Sequence, residues 1–273
     1  MNRILLWMFS GLLVLTACSP AAQPPAADSA NVETVVAATL QSLTAAAPAN
    51  GLPVSYNNIS LVIPLELNAS AAPSISTEVE FPYLNPSNGP MPEHMVFQLT
   101  NYPLEGEARI VVFKASDYAA YGAPLQGAVT SLLAGQDAAQ PLPDALAQGE
   151  FYAQAKQVSF QNGHGVRYIT QVLTGFAPIN NRDVFYFYQG ITNDGAYFVS
   201  AVLRIQASFL ASDGGANSPV PDGGISFNWS GDLNYPQYLN DVTQKLNGAA
   251  AGDFSPPLIL LDELIESLKV TNP

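Results

Sequence analysis

Cysteine is almost missing from this chain: of 273 residues only Cys18 is one. No disulfide can form within the molecule, so the fold must rest on a hydrophobic core. Basic residues are scarce as well, nine Lys and Arg against 22 Asp and Glu, a formal net charge of −13. That field repels nucleic acid and anionic headgroups, which argues against a nucleic-acid partner. His94 and His164 are the only histidines. A zinc site needs at least three protein ligands, and no short-spaced pair is present to begin one. There is no G-x-S-x-G elbow, no phosphate-binding loop and no dinucleotide fingerprint, so no catalytic residue, metal or cofactor is nominated. The apolar run Ile4–Val14 is too short to span a bilayer as a helix.

That run has a second meaning in its context. A basic start at Arg3 precedes it, and Leu15-Thr16-Ala17-Cys18 closes it. The layout suits a secretory signal peptide, with small residues at the cleavage site. The tetrapeptide resembles the lipobox of bacterial lipoproteins. The resemblance implies that residues 1–17 are removed, that diacylglycerol alkylates the Cys18 thiol, and that the new amine is acylated, with palmitate among the expected chains. More than one chain matters, since a single acyl chain anchors only reversibly. An ordinary secretory signal with Cys18 nearby by chance is the competing reading. Ser19 favours outer-membrane export in a cell that has such a membrane. Loss of Arg3 leaves eight basic and 22 acidic residues, net −14, so lipid rather than a basic patch must hold the protein to a membrane.

Residues 18–50 read as a lipid-anchored tether. Ser19–Asn31 is Pro/Ala-rich, and Val32, Val35, Val36, Leu40 and Leu43 recur at helical spacing. About three turns make a marginal isolated helix, so a spacer is preferred to a docking element. Residues 51–273 read as one domain. Strands are expected over Val54–Pro64, Glu78–Phe81, His94–Thr100 and Ala108–Lys114. A helical stretch opens at Ser116-Asp117-Tyr118 and continues through Leu125–Leu133, followed by a loop over Gly135–Pro143. An antiparallel meander follows: a run into an Asn162-Gly163 turn, then Gly165–Leu173, Asp183–Gly190, a turn at Asn193-Asp194-Gly195, and Tyr197–Ile205. Helices are expected over Pro236–Leu246 and Leu258–Leu268, the latter with Leu260, Leu261, Leu264, Ile265 and Leu268 on one face and Lys269 at its C-terminal end. Strand runs with segregated helices define an α+β class, a sheet meander covered by helices.

Ile59-Ser60-Leu61-Val62-Ile63-Pro64, the central meander and the ending Ile265-Glu266-Ser267-Leu268-Lys269-Val270 together resemble the PsbP/Mog1-like α/β/α sandwich family. The segments Gly165–Tyr168 and Phe185–Gly190 are similar to those of uncharacterised bacterial envelope proteins. The resemblance implies a domain that binds or assembles rather than catalyses, and it maps no site residues. Phe185, Phe187, Tyr197 and Val199 alternate with Tyr186, Tyr188 and Phe198, so both sheet faces carry rings. Either a second helical layer covers the far face or that face lines a groove. Arg167 and Arg204 are expected to pair with carboxylates. Asp213, Asn217, Asp222 and Asp232 in the loop 211–232 suit turns better than calcium. The leading reading is an extracytoplasmic lipoprotein whose domain meets another envelope protein. A small-ligand-binding lipoprotein using the aromatic face is second, and an enzyme of unknown type third.

Because residues 19–50 carry few aromatics, they should contribute nothing to the core. Thermal unfolding of a chain beginning at Gly51 is expected to match that of one beginning at Ser19. A fall of many degrees would place the 32–43 helix in the core.

Overall fold

The computed structural model describes residues 50–78, 90–135, 151–173, 175–230 and 234–272. The leader, Cys18, the tether and its spacer helix lie outside them, as do the Gly135–Pro143 loop beyond Gly135 and the Glu78–Phe81 segment beyond Glu78. Within the described residues the chain is a mixed α+β protein, with antiparallel sheets and four α-helices.

Two antiparallel ladders meet at the centre of a seven-stranded sheet. The first comprises β3 (Ser70–Ser76), β4 (His94–Thr100) and β5 (Ala108–Lys114). The second comprises β6 (Ala153–Phe160), β7 (Gly163–Gln171), β8 (Val184–Thr192) and β9 (Tyr197–Arg204). Spatial order is β3-β4-β5-β9-β8-β7-β6, with β5 pairing β9 from Ala108↔Leu203 to Lys114↔Tyr197. Thus the meander forms only half of the sheet. Edge strand β3 carries Pro73, where the missing N–H disrupts nothing. Edge strand β6 carries a bulge between Ala153 and Lys156.

Each face has its own core. Helix α1 (Ala115–Tyr121) and helix α2 (Ala123–Leu133) pack on one side with Phe185, Phe187 and Phe198. Tyr118 stacks on Phe198 with centroids 4.1 Å apart. The two helices are separated at Gly122, which is extended (φ −175°, ψ 154°), and Pro124 falls in the first turn of the second, where its missing N–H is harmless. The opposite face bears Tyr186, Tyr188, Val199 and Leu203 under helix α3 (Tyr235–Asn247) and helix α4 (Leu258–Glu266). Asn234 caps α3, its side chain accepting from the Gln237 amide at 3.3 Å. Tyr197 therefore shares a face with Tyr186 and Tyr188, not with Phe185. The four-residue turn at 193–196 pairs odd positions with even ones, as in Phe187↔Val202.

The stretch Val54–Pro64 is a hairpin rather than one strand. Asn57 turns the chain with φ 51°, a left-handed conformation asparagine tolerates, between β1 (Gly51–Tyr56) and β2 (Ile59–Pro64). With β12 (Lys269–Val270) these form a separate three-stranded sheet, order β1-β2-β12. Two residues each of β10 (Gln206–Ala207) and β11 (Phe254–Ser255) form a further ribbon. The β6–β7 turn also differs from expectation: Phe160 pairs Gly163, so Gln161 and Asn162 make the turn. Gly163 stays in the strand because the Phe160 ring occupies the space of a side chain. Gly165 and Gly190 face each other across β7 and β8, and a Cβ on either would collide with the Tyr188 hydroxyl.

Helix α4 ends at Glu266, two residues short of the expected Leu268, and Ser267 caps it. The Ser267 hydroxyl donates to the Leu264 carbonyl at 2.7 Å and accepts from the Val62 amide at 2.9 Å. Lys269 is consequently a strand residue opposite Ser60, not a dipole partner at the helix end. Leu264 is fully buried against the sheet. Leu264→Ala should cost about 2–5 kcal/mol, and Lys269→Ala, an exposed change, about 0.5 kcal/mol or less. Denaturant midpoints compare the two; equal midpoints would contradict burial of α4 on the sheet.

Candidate functional site

On α4 the positions Leu258, Leu261, Asp262 and Ile265 share the buried face, following the i, i+3, i+4, i+7 pattern of a helix. One of them is a carboxylate. Asp262 is 5% exposed and lies against Arg167 of β7, 4% exposed. Arg167 Nε donates to Oδ1 at 3.1 Å and Nη2 to Oδ2 at 3.4 Å. Tyr186 donates its hydroxyl to Oδ1 at 3.0 Å, and Lys156 of β6 reaches Oδ2 at 2.8 Å from the rim. The guanidinium lies 5.9 Å from the Tyr186 ring centroid, and its Nη1 donates to the Gln154 carbonyl. Burial first, then the Asp262 charge, pushes the Tyr186 phenol well above its ordinary value. With both carboxylate oxygens occupied by donors, the group positions α4 and offers substrate nothing.

Gln154 extends this cluster. At the β6 bulge it takes φ 55°, and its Nε2 donates to the Leu246 and Ala249 carbonyls at 2.8 and 2.9 Å. Its amide donates to Asn247 Oδ1 at 2.6 Å. The bulge thereby satisfies carbonyls that the end of α3 leaves over.

A cleft of about 600 Å³ lies beside the β1–β2 turn. Asn57, Asn58, Thr271 and Asn272 supply amides and a hydroxyl to its wall, Glu93 and Lys114 one charge of each sign, and Met95 and Val112 apolar surface. Asn272 donates to Asp194 Oδ2 at 3.0 Å. The Thr192 hydroxyl, the Ala196 amide and Asn272 together hold the Asp194 carboxyl below its usual value. Neutral amides with a balanced charge pair suit a small neutral or zwitterionic molecule better than an anion.

The residues singled out from sequence are scattered. His94 stands at the start of β4, as the strand His94–Thr100 predicts, but is buried, its ring 4.4 Å from that of its cross-strand partner Phe113. His164 directs Nε2 to the Leu132 carbonyl at 3.1 Å, at the end of α2. Asp213 accepts from the Gly215 amide at 2.8 Å, an Asx turn, and Asp232 lies outside the described residues. No group of three or more His, Cys, Asp or Glu suited to a metal occurs among the described residues. Arg167 does pair with a carboxylate. Arg204 donates to the Arg182 carbonyl at 2.8 Å; burial pulls its guanidinium down from the ordinary value, and the field of Asp183 and Glu107, in which it lies, opposes that pull. Both ring-bearing faces of the meander are covered, with Phe185, Phe187, Tyr186 and Tyr188 all fully buried.

Sequence reasoning passed over Asp262, Lys156 and Tyr186 as partners. The available signal was a pair of opposite charges at core-facing positions: Asp262 within an apolar helix stripe and Arg167 within an apolar strand. No family model, no curated protein and no solved structure matches the chain.

Asp262→Ala strands Arg167 in the core and should cost about 3–5 kcal/mol, whereas Lys156→Ala, with half its side chain in solvent, should cost about 1 kcal/mol or less. Urea midpoints measure both. At high pH the sign is fixed by the raised phenols of Tyr186 and Tyr188. Their stabilisation is complete below the ordinary value of 10.0 and is lost as pH rises beyond it, toward the folded-state values. Phenolate absorbance should therefore show these two tyrosines ionising only together with unfolding.

Proposed function

We propose that this chain is a cell-envelope lipoprotein, held to a membrane by acyl chains on Cys18, whose domain 51–273 is a non-catalytic module that binds or assembles with another envelope component. The observation that carries the reading is the position of the single cysteine, directly after an apolar run and Leu15-Thr16-Ala17. Two further observations support it. Among the described residues no helix is long and apolar enough to cross a membrane, so a lipid supplies an anchor the domain's helices do not. Both broad faces of the large sheet are covered, which leaves edges, loops and clefts as contact surfaces. On this reading the protein works outside the cytoplasm, at the outer membrane in a cell that has one.

Helices on both faces of an antiparallel sheet also support assignment of the domain to the PsbP/Mog1-like sandwiches. The departure is Ile59–Pro64, which pairs in the small sheet with β12 rather than in the large one. A small-ligand role is favoured by one observation, the amide-walled cleft beside Asn57, and is moved there from the aromatic sheet face.

Labelled fatty acid fed to expressing cells should enter the wild-type protein and not Cys18→Ala, with the domain folded in both. The mature N-terminal peptide should begin at Cys18 and carry the mass of its acyl groups. Equal incorporation by the two proteins would refute the anchor.

A further inference from the structure

Five rings gather where the loops before β8 and before α3 meet the first turns of α3. Phe176 lies 4.9 Å from Tyr235, Phe227 lies 4.8 Å from Trp229 and 5.1 Å from Tyr238, and Tyr235 stacks with Tyr238 at 6.1 Å. Two of them face solvent: Phe176 is 78% exposed and Trp229 52%. No other large hydrophobic side chain of the described residues is as exposed as Phe176.

Three properties define what this cluster fits. First, its rings sit in uncharged sequence: the segments 175–180, 225–230 and 234–240 contain no Asp, Glu, Lys or Arg, in a chain of net charge −13, and Asp232, between the last two, lies outside the described residues. The next carboxylate along α3, Asp241, is engaged by Gln237 Nε2 at 2.6 Å. Second, its polar groups are turned onto the protein. The Tyr235 hydroxyl donates to the Ala177 carbonyl at 3.1 Å, and the Tyr238 hydroxyl accepts from the Ile179 amide at 2.9 Å. Asn228 Oδ1 accepts from both the amide and the hydroxyl of Ser230, and Asn234 Oδ1 accepts from Gln237. A sugar or a peptide backbone would want those groups directed outward. Third, the two tyrosine hydroxyls brace the loop that carries Phe176, so the ring is presented from an ordered support and little is lost in ordering it on contact.

We propose that Phe176 and Trp229 seat in the interfacial layer of a lipid bilayer without net charge, so that the domain lies against the membrane instead of standing off it. Aromatic rings, tryptophan above all, partition to that layer. The proposal rests on the lipid-anchor reading only for proximity. Thirty-two residues separate Cys18 from Gly51, a contour of at most about 120 Å. Anchoring on that length converts a weak surface affinity into an intramolecular event at high effective concentration.

Trp229 reports on its own seat, because the only other tryptophan, Trp7, lies in the leader. The full-length expressed protein is reconstituted into phosphatidylcholine vesicles whose acyl chains are brominated near the headgroup, and into matched unbrominated ones. Bromine is expected to quench the tryptophan emission. Phe176→Ala should populate the seated state about tenfold less, the effect of removing one buried ring. Both rings are exposed, so unchanged thermal unfolding of the variants verifies the fold. Anionic vesicles at low salt should weaken the quenching, since the chain is acidic. Equal emission in brominated and plain vesicles overturns the proposal, as does quenching that survives Trp229→Phe. Shielding of Trp229 that grows with protein concentration without lipid also overturns it, by assigning the patch to a second copy. Mass analysis of the N-terminal peptide in the same sample keeps the two ideas apart: acylated Cys18 without quenching refutes the seat alone, and quenching that is abolished by Trp229→Phe but found without acylation refutes the anchor alone.

Discussion

A carboxylate removed from water must be compensated at once or it destabilises the fold that buries it. Asp262 sets that requirement, and much of the domain is arranged to meet it. Arg167 arrives from the middle of β7, Tyr186 from β8 and Lys156 from the edge strand β6, so three neighbouring strands must be in register for one helix to dock. The guanidinium in turn takes the Gln154 carbonyl exposed by the bulge, and the Gln154 side chain fastens the end of α3. Leucines alone would hold α4 to the sheet with little preference among rotations and shifts. The ion cluster selects one. Replacement of the whole cluster by apolar side chains is the kind of exchange proteins often tolerate, whereas loss of one partner leaves a charge buried and unpaired.

With both faces of the large sheet closed, the accessible surface lies at the periphery, and two peripheral regions differ in character. The cleft beside Asn57 is amide-rich and carries one charge of each sign. The ring cluster around Tyr235 carries no charge, and its hydroxyls point inward. The first suits a small polar molecule and the second an extended apolar layer. They are built from different parts of the chain, so each can serve without the other.

Periodicity made much of this fold legible. The strands His94–Thr100 and Ala108–Lys114 are where alternation places them, and the turn at 193–195 follows from Asn-Asp-Gly chemistry. What alternation could not supply was partner choice. Val54–Pro64 comes near to alternating, yet the two asparagines that interrupt the phase between Tyr56 and Ile59 fold it into a hairpin, and Lys269 and Val270 complete that sheet. The Asn162-Gly163 turn moved by one residue because Asn162 has other work: its side chain pairs with the backbone of Val270 in both directions. Asp262 was hidden by its leucine neighbours, and the ring cluster by the separation of residue 176 from residues 227–238. Each of these depends on contacts between segments far apart in the chain, which no local window contains.

The placement of β12 has a consequence in time. Ile59 and Ser60 wait for Val270 and Lys269, more than 200 residues later, and Gln161 and Asn162 wait for Leu268 and Val270. Ribosomes make protein from the N-terminus, so the small sheet stays open and the β6–β7 turn lacks its clasp until residues 268–270 have been made. Closing such distant contacts is slow compared with local turns and helices. A nascent chain of this design remains incompletely folded throughout its synthesis and locks only at the end.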